Sequence, residues 1–276
     1  MRTPVRIAAF AVAAVAVFGA AALAGAALDP LREGGDAHGH GQEGHGEDHG
    51  AEAPAELRLE ATRTVLPRGR AAEWGFRVAD AAGAPVTAYD VTHERRMHLI
   101  VVRQDLSVFR HLHPVLGADG TWRARVDLPD AGAYRAFADF SAGGTPHTLE
   151  TDLQVPGPFA PRPLPAPRAQ ASDGAYTATL TAGGLVAGRP ATLSYALARG
   201  GRPLDGVDPY LGADGHLVAL REGDLEFLHV HPEEGGGPGV VRFGATPPSP
   251  GRYRLFMQFA HGGAVRTVAH TIEVPR

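Results

Sequence analysis

Cysteine is absent from this chain of 276 residues. That excludes disulfides, thiolate metal ligands, a cysteine nucleophile and lipid attachment at an N-terminal cysteine. Lysine is absent as well, since all 26 basic residues are arginine. This removes the side chain that burial most readily turns into a base or Schiff-base former. Met1, Met97 and Met257 are the only thioethers, too few to build a soft Cu(I) site. The net charge of −4 with histidine neutral leaves no basic footprint for nucleic acid, which is excluded as a partner. No Gly-x-Ser-x-Gly, phosphate loop or other catalytic motif is present. The chain reads as a non-enzyme.

Histidine, by contrast, is plentiful: there are 14, unevenly spread. The N-terminus places Arg2 and Arg6 before an uncharged run from Ile7 to Leu28. Residues 1–28 therefore read as an export helix, a signal peptide or membrane anchor. The run is Ala-rich and weakly apolar, which favours cleavage near Ala24-Gly25-Ala26. Either way the remainder is expected outside the cytoplasm, secreted or attached to the outer face of the cytoplasmic membrane. Any membrane contact is through this segment alone. Residues 29–55 hold His38, His40, His45 and His49 among glycines and acids. Nothing there packs a core, so a disordered tether is expected, with weak metal capture its sharper role.

The folded part divides at a proline-rich linker, residues 157–170, into segments 56–156 and 171–276. These are repeats. "MHLIVVRQDLSVFRHLHP" (Met97 to Pro114) is matched by "GHLVALREGDLEFLHVHP" (Gly215 to Pro232). His98, His111 and His113 answer to His216, His229 and His231, each displaced by 118 residues. Short alternating runs such as "AEWGFRVAD" and "ATLSYALA", split by Gly, Pro and Asp, read as strands. Pro-x-x-Gly-x-Tyr at Pro129 to Tyr134 and Pro248 to Tyr253 resembles the corner tyrosine of immunoglobulin-like sandwiches. The expected fold is all-β, two tandem Ig-like antiparallel β-sandwich domains.

Each doubled phrase predicts a hairpin ended by Pro114 or Pro232. His111 and His113 leave one face, being two apart. A two-residue turn at Gln104-Asp105 sets His98 opposite His111, and sliding the turn by one residue sets it opposite His113. Both registers gather the three imidazoles on one face, about 5 Å apart across the strands. A turn of odd length would separate them. Ile100, Val102 and Phe109 share that face, as do Val218, Leu220 and Phe227, so it is read as the core side, with each trio at one end of a sandwich. Three neutral imidazoles suit Cu²⁺ or Zn²⁺. One three-histidine site per repeat is the expectation, in a protein that buffers or delivers the ion. Capping of a core by hydrogen-bonded histidines in a non-enzymatic envelope or interaction module is the alternative.

The remaining candidates read as structural. His93 and Met97 align with Leu211 and Gly215, and His147 with Arg266. His261 and His270 face Ala142 and Thr151 in the other repeat. Glu94, Asp105, Glu222 and Asp224 hold no equivalent place in both copies, leaving no general base. Arg103 and Arg221 recur at the turns, with solvation or ion pairing the default. Trp74 and Trp122 are expected in the first core.

"PYLGADGHLVALREGDLEFLHVHP" resembles a signature of exported bacterial proteins with tandem repeats of this kind, labelled heavy-metal-binding or copper-resistance related. The likeness covers roughly residues 56 to 276. It implies handling of metal ions outside the cytoplasm; metal ions, and a membrane metal transporter or envelope protein, are the expected partners.

Overall fold

The computed structural model describes residues 56–276 apart from His229. Residues 1–55, on which the expected export helix and tether with His38, His40, His45 and His49 fall, and His229 lie outside the described residues. Among the described residues no helix is long and apolar enough to cross a membrane, and the regular structure is all strand.

The first repeat contains β1 (Arg58–Ala61), β2 (Ala72–Ala79), β3 (His98–Arg103) and β4 (Phe109–Leu112). It continues with β5 (Val115–Leu116), β6 (Trp122–Val126), β7 (Gly132–Ala142) and β8 (Thr145–Val155). They form two antiparallel sheets, ordered β1-β2-β6-β5 and β4-β3-β7-β8. The second repeat holds β9 (Gln170–Asp173), β10 (Tyr176–Ala182), β11 (Ala191–Arg199), β12 (Arg202–Pro203) and β13 (His216–Arg221). After these come β14 (Phe227–Leu228), β15 (Val230–Glu233), β16 (Val240–Ala245), β17 (Gly251–His261) and β18 (Ala264–Val274). Its sheets run β15-β16-β11-β10-β9, with β12 on β11, and β14-β13-β17-β18. Two tandem Ig-like sandwiches result.

Each sandwich has its own core. Trp74, Phe76, Leu99, Val101, Tyr134 and Phe140 pack in the first; Tyr195, Leu217, Phe243, Tyr253, Met257 and Phe259 pack in the second. Tyr134 donates its hydroxyl to Asp130 O at 2.7 Å, and Tyr253 donates to Ser249 O at 2.8 Å. Both repeats thus tie a strand start to the loop four residues upstream. Tyr134→Phe leaves that carbonyl short of a donor and should cost about 1 kcal/mol. A urea melt reads it, and an unchanged midpoint would show the corner to be idle.

The apolar face of the doubled phrase does not meet either sandwich core. Leu99 and Val101 point inward, whereas Ile100 and Val102 point out, toward the other repeat. There they meet Val218, Leu220 and Phe256, with Phe137 beside them, in a third apolar cluster between the repeats. The expectation that this face is the core side fails because strands apolar on both sides offer no alternation to choose by. β3 is in fact buried at all of its positions. The seam is two-fold in character. Phe109 stacks on Phe256 at 4.2 Å, and their counterparts Phe227 and Phe137 meet at 5.6 Å. Such exchange of equivalent partners is the mark of an isologous contact.

The linker lies along this seam. Leu164 is buried in it, Arg252 donates to the Leu164 and Pro165 carbonyls, and Arg162 N donates to Asp105 at 2.9 Å.

Candidate metal centre

The first hairpin keeps the even register. Ile100 pairs with His111 and Val102 with Phe109, so continuing the ladder brings His98 level with His113. The turn depends on Leu106, held at φ 58°, whose N–H donates to Arg103 O at 2.8 Å. All three imidazoles therefore emerge on the seam face. Each brings a ring nitrogen within 4.8 Å of the others. Their ring centres are 5.3, 5.2 and 4.9 Å apart, with planes inclined by 35°, 82° and 68°. Imidazoles tetrahedrally disposed about one ion, with nitrogens at about 2.0–2.1 Å, hold their centres roughly 5 Å apart.

The hydrogen bonds determine which nitrogens are free. His98 Nε2 lies 3.3 Å from Thr92 O, an acceptor only, so Nε2 carries the proton. His111 Nδ1 lies 2.6 Å from Gln258 Oε1. The Gln258 amide nitrogen donates to Thr267 Oγ1 at 3.1 Å, with the amide oxygen toward His111. A neutral imidazole has one N–H. His98 Nδ1 and His111 Nε2 are then both bare, and they face each other at 3.1 Å. In that tautomer pair two lone pairs meet, an arrangement that suits a bound cation, whereas the other tautomer of His98 makes a direct hydrogen bond to His111. Donation of the far N–H to a carbonyl oxygen is the usual support of a metal-bound histidine. The Nε2 of His113 is buried with no hydrogen-bond partner among the described residues.

A proton is the competing cation, and the site resists it. Burial, then the neighbouring His111, pushes His98 down to about 4, against the opposing effect of the Thr92 carbonyl. Burial lowers His111 to about 4, although its bond to Gln258 works the other way. Burial and His98 lower His113 to about 4.

Of the second set, the described members His216 and His231 are not gathered in this way. His216 crosses the seam, lying flat against His98 (5.4 Å, 10°) and His111 (4.7 Å, 26°). Stacked rings do not converge on a common ion, so His216 walls the site. Burial, then His111 and His98, pushes its pKa down to about 2. The second hairpin keeps the same register at Leu220 and Phe227. Its return strand then departs early, and β15 joins the other sheet with His231 opposite Gly244. His231 is exposed and lines an outer cleft of about 720 Å³ with Glu226 and Glu233. Pro232 lies inside β15, which is tolerated on an edge strand.

Other residues settle plainly. Arg103 is buried and ion-paired with Asp105 at 2.8 Å. Arg221 pairs with Asp224, its Nε at 3.0 Å. The acids do correspond after all, since Asp105-Leu106 matches Asp224-Leu225 with a local one-residue slip. Leu225 takes the same left-handed conformation, φ 62°, as Leu106. Neither Asp105 nor Asp224 is left to act as a base. His147 stacks on Phe140, His261 bonds Tyr176, and His270 packs edge-on to Tyr195. Two residues near the site were not singled out by the repeat pattern: Gln258, 147 residues from His111 in sequence, and His93. The ring of His93 is 6.1 Å from that of His98 and 5.9 Å from that of His216.

A family model described as "Domain of unknown function (DUF8832)" matches twice, over residues 52–157 and 169–276. The chain belongs to the DUF8832 family. Its two copies of the DUF8832 domain coincide with the two sandwiches. No curated protein matches the sequence. Among solved structures, the Escherichia coli adhesin FdeC is 15% identical, with 80% of this chain and 64% of that one covered and a TM-score of 0.28. Elastase-activated alpha-2-macroglobulin from Escherichia coli is 16% identical, with 80% and 20% covered and a TM-score of 0.28. A chimeric titin Z1Z2 tandem is 15% identical, with 81% and 100% covered and a TM-score of 0.22. The DUF8832 chain thus spans less than two-thirds of the first two of these proteins.

Proposed function

We propose that this DUF8832 protein is a non-enzymatic, extracytoplasmic module of two Ig-like domains that binds a divalent transition ion, Cu²⁺ or Zn²⁺, at the seam between them. The observation that carries this reading is the pair of bare nitrogens, His98 Nδ1 and His111 Nε2, face to face at 3.1 Å with their other nitrogens committed to oxygen. An all-imidazole donor set without sulfur favours Cu²⁺ or Zn²⁺ over Cu(I). Export follows from the N-terminal run of the sequence. The histidines at 38, 40, 45 and 49 would collect ions weakly, and the seam would hold one tightly for buffering or for transfer to a membrane transporter or envelope protein.

A second reading, a purely structural seam, is favoured by the carbonyl oxygens that His98 and His111 already engage. Metal analysis of protein purified without a histidine tag separates the two. One tightly held equivalent per chain is expected beyond what the N-terminal histidines bind. Saturation at a hundred times Kd should stabilise the fold by about 2.7 kcal/mol. No retained metal, and no stabilisation by added Zn²⁺ or Cu²⁺, would leave the structural reading.

A further inference from the structure

Beside the trio lies a turn that the two repeats build differently. Thr92 and Arg95 bridge each other, with N–H···O distances of 2.8 and 3.0 Å. Between them His93 and Glu94 sit at φ 49° and 61°. The matching turn of the second repeat bridges Tyr210 and Ala213, with Leu211 at 57° and Gly212 at 77°. A turn with both central residues left-handed normally has glycine in it, most often at the second position. The second repeat obeys that rule, and the first puts glutamate there and histidine before it. Strain of this kind persists where something else requires the side chains.

The position suits a ligand. The Thr92 carbonyl that closes the turn also takes the His98 N–H, so the turn is already coupled to the trio. The His93 ring stands edge-on to His98 and His216, at 70° and 75°. Its other side is exposed and lines a cleft of about 410 Å³ whose wall includes Asp214, Glu234 and the ion pair of Glu233 with Arg242, a net negative set. An acidic approach of that kind concentrates cations. Three imidazoles leave one corner of a tetrahedron unfilled.

We propose that His93 is the fourth ligand of the seam centre, brought onto the ion by a small movement of the Thr92–Arg95 turn, and that the acidic cleft beside it is the ion's way in. This rests on the metal reading above. Ligation by the His93 imidazole would displace a bound water, converting an open three-histidine site into a closed four-histidine one. The ion would then be held in a storage or structural site with no reactive position.

The experiment compares the full chain with two variants, using Co²⁺ as a spectroscopic probe and Zn²⁺ in competition. His93→Asn keeps a residue that tolerates the left-handed turn. The pair His93→Leu and Glu94→Gly installs the turn of the second repeat. Both should weaken Zn²⁺ binding by about a hundredfold and shift the Co²⁺ visible bands as nitrogen is replaced by water. Without metal, the Leu-Gly variant should melt about 2–4 °C higher, as the strain is relieved. Unchanged affinity and spectrum in His93→Asn would overturn the fourth ligand while leaving the three-histidine centre standing. If the unmodified chain binds neither ion, the metal reading itself fails and takes this inference with it.

Discussion

Replacing His111 and His113 together with alanine should abolish tight metal binding by the whole folded part, with His216 and His231 still present. Structural zinc sites with four ligands reach apparent binding energies of about 10–16 kcal/mol, or roughly 3 kcal/mol for each ligand. Loss of two ligands should therefore weaken binding by about 10⁴-fold or more. His231→Ala, on an exposed edge-strand residue, should leave affinity unchanged. The pair of variants distinguishes a single seam centre from one centre per repeat. In the latter case, His111→Ala with His113→Ala would retain half of the bound metal. Calorimetric titration of the chelator-treated chain gives both stoichiometry and affinity. Retention of full binding would remove the hairpins from the metal reading and leave only the N-terminal histidines.

Much of this arrangement is readable in the residues. The spacing His98, His111, His113 implies a shared face through parity alone, because any even turn returns the first histidine to the side of the other two. The tyrosine corner and the proline-rich boundary mark two sandwiches. What parity cannot supply is which way that face points. "HLIVVR" and "HLVALR" are apolar on both sides, and only tertiary packing puts Ile100 and Val218 in a seam instead of a core. The same packing brings His216 against the first trio and supplies Gln258 from the second repeat, relations with no sequence spacing to reveal them. The split between the two hairpins is also tertiary: β15 joins β16 from Val230 onward, whereas β4 stays in its hairpin through Leu112. His93 left one faint trace, a histidine-glutamate pair where the other repeat has leucine-glycine. Its meaning depends on backbone angles.

Acid should open the metal-free seam well before ordinary carboxylates titrate. Free histidine has a pKa of about 6.5, whereas in the folded chain His98, His111 and His113 are held down to about 4 and His216 to about 2. Above pH 6.5 neither state takes up protons and the stability is complete. As pH falls below 6.5 the unfolded chain binds protons first, so stability is lost progressively, down to about pH 4 for the trio and further for His216. For His98, nearly fully buried, the shift corresponds to about 3 kcal/mol at the acid end. Near pH 5, unfolding should take up about three and a half protons from the cluster, a slope of about 5 kcal/mol per pH unit. Arg95 adds positive charge beside His98 and His113. Urea melts of the chelator-treated chain from pH 7.5 to 4.5 measure this slope. His216→Leu removes one of the four imidazoles and should reduce proton uptake by about one. A stability that stays flat across this interval would mean that the imidazoles are hydrated, and that the seam does not close over them.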